Sequence, residues 1–517
     1  MVLARSTRLS RALGAGLGIV ALAAWAISAH AAGKTLIYAL YDEPDTLDSA
    51  KMATDVALHP TWLICDSLVN LSKDGQRLEP GLAESWTLSP DGLQATLKIR
   101  SGVRFHDGTP VDAEAVRASV ERHFQPVLAG EPRNSREHLL RELVDSVSVP
   151  NASTVVLKLR YPGLHYLSQV DVVSPTATAR LGNRFGRQPV CSGPFKFESW
   201  HPGDRLTVVA NDRYWGGRPR LDRVVFRFIN EPAAVVEAMG RGEIDFTPHV
   251  VDPIHFEKVR NSLAVTLIQV PALNVTYLGF NVGKAPLNDL RVRRAIVQAL
   301  DIQRMTVFLG RGAAVPARGP LSPAVKGYDP AVAQAARDPF AAQAALQKAG
   351  VGSGLMLRLI HHEGYTIHHE VAGAIQNDLG RIGVGVELVG KASFGDVLAA
   401  ARAQEGDMFV SAWNIRGPYP ERILFPLFHS RSLGTTNLMR YRNPRLDALL
   451  EEAPRLADAA AQQRAYSQAQ RLIVDDTPAA FLYHAARVAA VNKRARGLEV
   501  NLGALPHDKL VTVDLQP

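Results

Sequence analysis

LEPGLAESWTLSPDGLQATLKIRSGVRFHDGTPVDAEAV, residues 78–116, decides the reading of this chain, together with PVCSGPFKFESWHPGDRLTVVANDRYWGGRPRLDRVVFRF, residues 189–228. In the first stretch Ser89-Pro90-Asp91-Gly92 is turn chemistry. Pro90 presets a turn position, and Gly92 takes positive φ at no steric cost. Beyond the turn, Ala95-Thr96-Leu97-Lys98-Ile99-Arg100 alternates as a strand with one buried face does. The second stretch has the same grammar, with strands predicted near 204–211 and 223–229 and a turn at Gly216-Gly217-Arg218-Pro219 between them.

Outward from these segments, strands and helices mix. Lys34 to Leu40 alternates and runs into the polar segment Tyr41 to Asp48, a strand entering a loop. Residues 144–161 read as a hairpin, with Val155-Val156-Leu157-Lys158-Leu159 following the Pro150-Asn151 turn. From Asn288 the period becomes helical through Val292, Ala295, Ile296, Ala299 and Leu300. A helix is predicted over 338–349, opened by Asp338-Pro339 and stopped by Gly350. Another is predicted over about 367–381, then a strand from Val384 to Val389, then two helices within 445–475. The class is α/β. The 517 residues allow two or more domains with substantial cores. No stretch after residue 32 approaches eighteen consecutive apolar residues, so no membrane-spanning helix is expected there.

The first 32 residues read as a cleaved signal peptide. Arg5, Arg8 and Arg11 form a basic start, Ala12 to Ile27 is apolar and uncharged, and Ala29-His30-Ala31 supplies the small-x-small cleavage pattern. Cleavage is expected after Ala31 or Ala32. No cysteine lies near that site, so a diffusing periplasmic protein is expected rather than a lipid-anchored one. The chain carries a net charge of +8, and without those three arginines it has 55 basic against 50 acidic residues. The charges are dispersed, which argues against a nucleic-acid partner.

The order and wording of segments 78–116 and 189–228 resemble the extracytoplasmic solute-binding proteins of family 5, which feed peptide, opine, glutathione and nickel ABC transporters. The resemblance continues through FNVGKAPLNDLRVRRAIVQALD (280–301) and YRNPRLDALLEEA (441–453) and covers nearly the whole mature chain. It implies a two-lobed periplasmic-binding-protein fold (type II, cluster C) with an inserted domain. Lobe I would comprise 33–60, 186–272 and 489–517, the insert 61–185, and lobe II 273–488. Cys65 and Cys191 stand where many family members carry aliphatic or small residues, which looks like a joint replacement. An even pair in an oxidising compartment is a disulfide candidate, and two buried thiols are the alternative.

No catalytic constellation is present: G-x-x-x-x-G-K-[ST], G-x-S-x-G, H-E-x-x-H and C-x-x-C are all absent. Gly350 to Gly354 lies between a helix and a strand, the reverse of a dinucleotide-binding context. His361-His362-Glu363 and His368-His369-Glu370 offer metal donors, but no two of these histidines stand one helical turn apart. No metal site and no cofactor are assigned.

Ligands in such folds sit beyond the carboxyl ends of strands, between the lobes. Three loops meet that condition: Met52-Ala53-Thr54-Asp55, Thr247-Pro248-His249, and Ser411 to Tyr419 after a strand expected over Asp407 to Val410. Trp413, Asn414, Ile415, Arg416 and Tyr419 fall in the last, with Trp413 expected as a stacking wall and His362 near the cleft. Family members that hold a peptide by its α-amino group carry an aspartate three residues after the tryptophan, where this chain has Arg416. A guanidinium suits a carboxylate or phosphate. The alternative is an Arg416 that faces solvent or pairs with Glu421. The expected function is the periplasmic substrate-binding component of an ABC importer, monomeric and without catalysis. It would take a peptide-like or small anionic solute and deliver it to membrane permeases. A secreted hydrolase, or a peptide carrier or receptor uncoupled from transport, is the alternative.

Overall fold

Leu36, Tyr38, Ala39 and Leu40 are fully buried in the strand Thr35–Leu40, which suits its place at the middle of a sheet. The computed structural model describes residues 33–52, 54–123, 140, 143–248, 255–351, 354–415, 417–456 and 458–516. The expected signal segment 1–32 therefore lies outside the described residues, as do Ala53, His249 and Arg416.

The sheet around Thr35–Leu40 has seven strands in the order Val265–Val270, Arg487–Asn492, Phe246–Thr247, Thr35–Leu40, Arg223–Phe228, Arg205–Ala210 and Phe195–His201. Thr35–Leu40 runs parallel to both neighbours, and the outer pairings are antiparallel. The two strands expected in segment 189–228 are thus a hairpin of this sheet. Arg487–Asn492 belongs here too, as a strand that runs across the expected boundary between 488 and 489.

A four-stranded antiparallel sheet orders Ala83–Leu88, Gln94–Ile99, Thr154–Leu159 and Val144–Asn151. The predicted turn at 89–92 closes its first hairpin: Gly92 donates to the Ser89 carbonyl at 2.8 Å with φ of 69°. Beneath this sheet the helix Ala113–Arg122 packs, capped by Asp112, which accepts from the Ala115 N–H.

The third sheet has six strands, in the order Ala314–Pro316, Ala479–Ala485, Asn274–Phe280, Met408–Asn414, Met356–His362 and Gly385–Lys391. Side chains alternate between its faces, so Tyr277, Phe409 and Phe481 enter one core while Leu278, Met408, Val410 and Leu482 enter another. Helices cover both faces, which is the α/β arrangement. Gly279 is required opposite its cross-strand partner Phe409: a Cβ there would lie 2.3 Å from the Phe409 ring. The predicted helices form as Leu290–Ala299, Pro339–Lys348, Thr366–Gly380, Pro444–Glu452 and Ala459–Asp476. Asp289, Asp338, Asn443 and Asp458 cap four of them.

One expectation is corrected. The strand read as ending at Val410 continues to Asn414, held by antiparallel pairing of Ser411 to Asn414 with Asn274 to Tyr277. Trp413 and Asn414 are strand residues, and the loop starts after them. Among the described residues no helix is long and apolar enough to cross a membrane.

Candidate functional site

Residues Lys34–Pro517 form one compact unit, and within it the carboxyl ends of parallel strands from the two larger sheets face one cavity of about 440 Å³. Tyr41 follows the end of Thr35–Leu40, and Arg487 and Val488 open the antiparallel strand that lies beyond Phe246–Thr247 in the same sheet. From the six-stranded sheet come His362, at the end of Met356–His362, and Ala412 and Asn414, at the end of Met408–Asn414. Asn274 and Thr276 pair with Asn414 and Ala412 and share their face. The site therefore draws on strands far apart in the chain, as switch-point clefts do.

The walls differ in chemistry. Asn274 is pinned: its amide donates to the Ala485 carbonyl at 2.7 Å and accepts the Ala485 N–H at 2.9 Å. The Arg487 guanidinium donates to the Gly503 carbonyl at 3.1 Å. Opposite, Tyr365 and His368 form an edge-to-face pair with centroids 4.9 Å apart, and Phe394 lies beside them. His362 donates from Nε2 to the Ala392 carbonyl at 3.1 Å. Burial, reinforced by neighbouring His362 and His361, pushes His368 down to about 4, so it is neutral at physiological pH. His368 Nδ1 is buried and has no hydrogen-bond partner among the described residues.

A smaller chamber of about 100 Å³ adjoins the first and shares Asp55 and Arg487 with it. Behind it lies the bonded pair Cys65–Cys191, with Cα atoms 4.8 Å apart. Next to Cys65, Asp66 accepts from Lys509 Nζ at 2.8 Å, Trp215 Nε1 at 2.8 Å, Ser192 Oγ at 3.1 Å and Tyr214 Oη at 3.2 Å. Burial works against the Asp66 carboxylate, and the Lys509 ammonium with these donors outweighs it and holds the group below its usual range.

The sequence-predicted residues divide. Asp55, His362 and Asn414 line the 440 Å³ cavity. Met52 is buried, and Thr54 spends its hydroxyl on Asp45 at 2.7 Å. Trp413 points to the other face of its strand, as the alternation with Ala412 and Asn414 requires. Its indole donates to the Arg422 carbonyl at 2.7 Å and packs on the core there, which is no stacking wall for this cavity. Ile415 is a core residue whose N–H donates to the Leu273 carbonyl at 2.8 Å.

Tyr419 stacks on His165 with centroids 3.5 Å apart. Beside them Glu421 accepts from Tyr166 at 2.9 Å and from His165 and Tyr466 at 3.3 Å. This cluster ties the 3-10 helix Leu164–Gln169 to the helix Glu421–Phe428.

Sequence reading missed Arg487, Tyr365, Asn274 and Thr276. His368 belonged to the histidine cluster it had set aside as a metal site. Nothing local marks Arg487, because its role comes from strand placement.

Residues 77–435 match the family model described as Bacterial extracellular solute-binding proteins, family 5 Middle. The chain is similar to the "Probable D,D-dipeptide-binding periplasmic protein DdpA" of Escherichia coli K12, at 29% identity over 89% of this chain and 90% of that one. Among solved structures it resembles HbpA2 from Haemophilus parasuis, with TM-score 0.82 and 24% identity, covering 93% of this chain and all of that one. The PBP AgaA in complex with agropinic acid, from A. tumefacien R10, gives TM-score 0.79 and 26% identity over 93% and 99% of the two chains. With a family model spanning more than half of its length, the chain belongs to the bacterial extracellular solute-binding proteins of family 5.

Proposed function

We propose that the protein is exported to the periplasm, captures a peptide-like or small anionic solute between its two lobes, and delivers it to the permeases of an ABC importer as a monomer without catalytic activity. The observation that carries this reading is the 440 Å³ cavity built from strand ends of both large sheets. A solute there touches both lobes at once, so it binds the closed form better than the open one and shifts the population between them. The names of similar proteins support the ligand class, since one is a D,D-dipeptide binder and another holds agropinic acid. Arg487 on the cavity wall supplies one cation for a carboxylate. Arg416, at the position of the family's ammonium-binding aspartate, supplies a second in this reading.

The lobe division we adopt is 33–60, 186–272 and 487–517 for lobe I, 61–185 for the insert, and 273–486 for lobe II. The signal segment is residues 1–32, and Cys65–Cys191 is a structural bridge between lobe I and the insert.

The test is direct. Solute released by denaturing protein purified from its native periplasm is identified by mass spectrometry and added back to stripped protein. The radius of gyration in solution scattering is expected to fall at saturation. An unchanged radius with calorimetrically proven binding would break the two-lobe closure.

A further inference from the structure

The small chamber next to the main cavity holds an imbalance of buried charge. Ser67 and Asp171 form an isolated antiparallel bridge, and the Val172 N–H donates to the Asp66 carbonyl at 2.9 Å. This backbone lock sets two buried carboxylates, Asp66 and Asp171, on neighbouring segments. One ammonium serves them. Lys509 spends two of its donors on Asp66 at 2.8 Å and on the Cys65 carbonyl at 2.6 Å, and it faces the Trp62 ring at 5.0 Å.

Asp171 is left with the hydroxyls of Ser49 and Ser67, and burial raises it to about 7, with Lys509 only partly offsetting that and Asp66 adding to it. Its side chain lines the chamber. The other charged or titratable groups on that lining are Asp55, His59 and Arg487. Arg487 donates to the Gly503 carbonyl and His59 is bonded to Tyr38.

The rest of the lining combines an apolar side, from Leu58, Trp62, Leu71, Leu502 and Leu505, with uncharged polar groups that include Gln169 and Asn501. The apolar side accepts methylene groups. The volume of 100 Å³ holds about three waters or a ligand tip of a few heavy atoms. The charged groups on this lining are thus two carboxylates, Asp55 and Asp171, against one guanidinium, Arg487, which is spent in part on the Gly503 carbonyl.

We propose that this chamber is a cation subsite of the solute-binding cleft, in which Asp171 pairs with an ammonium group carried on a short aliphatic tip of the solute. The proposal rests on the solute-binding reading above and adds to it. The solute then carries both signs, with its anionic end in the larger cavity and its ammonium beyond Asp55 and Arg487. Coulomb attraction to a buried carboxylate is stronger than to an exposed one, and binding follows where it exceeds the cost of desolvating the ammonium.

The probe is ethylammonium, with ethanol as the uncharged isostere, titrated calorimetrically into full-length mature protein freed of bound solute. Ethylammonium is expected to bind and ethanol not to. Asp171→Asn is expected to weaken ethylammonium at least about tenfold, the loss of one buried charge pair.

A second measurement needs no variant. Asp171 is protonated and uncharged below its raised pKa, so wild-type affinity for ethylammonium is expected to rise about tenfold between about pH 6 and about pH 8. Equal binding of ethylammonium and ethanol, a flat pH profile, or an Asp171→Asn protein that binds like the wild type would each overturn the subsite. If released solute still closes the lobes in scattering while ethylammonium fails, the subsite is wrong and the import reading stands.

Discussion

Asp66 and His368 are both buried beside cavities, and the structure treats them in opposite ways. Asp66 is surrounded by four side-chain donors, one of them a cation, and nothing about it is left unsatisfied. His368 is an uncharged imidazole with a buried nitrogen that finds no partner among the described residues. A buried polar group left open has a cost, typically about 1–3 kcal/mol. The difference separates a group that holds the fold together from one kept available on a binding wall.

Acid should expose that contrast most strongly. His106, His123, His368 and His484 are each pushed down to about 4 by burial. In the unfolded chain they titrate near about 6.5. Between those values the unfolded state binds more protons, so stability is lost as pH falls from about 6.5 toward 4, by up to about 1.4 kcal/mol per pH unit for each histidine. Asp171, raised to about 7, opposes one of them over the same window because it binds its proton in the native state. Asp66 and Glu421, whose carboxyls are lowered, contribute only below about pH 4. Urea midpoints followed from neutral pH to about pH 5 should fall steadily; a flat profile would mean the buried histidines are not held neutral.

Removing a partner from the satisfied region comes next. Asp66→Ala takes the carboxylate hydrogen bond from buried Lys509, leaving it the Cys65 carbonyl and the field of Asp171, and should cost about 3–5 kcal/mol in denaturant unfolding. A loss under about 1 kcal/mol would show that water already reaches the pair. Close to this in size is the neighbouring disulfide, which joins residues 126 apart in the chain. Its removal in the Cys65→Ser/Cys191→Ser double variant should cost about 2–5 kcal/mol. Two free thiols in unreduced, denatured protein would remove this support from the comparison altogether.

The smallest change is expected at the open wall. His368→Leu deletes an unsatisfied nitrogen from an apolar surround of Tyr365 and Phe394, so stability should stay within about 1 kcal/mol of wild type or rise. Affinity for the natural solute should drop at the same time. A variant as destabilised as Asp66→Ala would place His368 with the structural groups.

Much of this molecule was legible one segment at a time. The hairpin around Gly92, the capped helices after Asp289 and Asp338, and the strands of 189–228 all follow from turn chemistry and periodicity, which act within a few residues. Reading of the site was weaker. Read from sequence, the strand before Trp413 ends at Val410 and a loop begins at Ser411. Pairing with Asn274 to Tyr277 extends it, and that extension alone turns Trp413 away from the cavity and Asn414 toward it.

By itself the sequence determined the α/β class, the family motifs, most element boundaries, and the candidacy of Cys65 and Cys191. Local φ/ψ preferences and side-chain periodicity are written in neighbouring residues, so they survive without a fold. Tertiary structure alone decided that Arg487, Asn274 and His368 meet around one cavity, and that Asp66 takes the Lys509 ammonium, the only buried lysine among the described residues. Those outcomes depend on burial and on partners hundreds of residues away, and desolvation has no local signature in the chain.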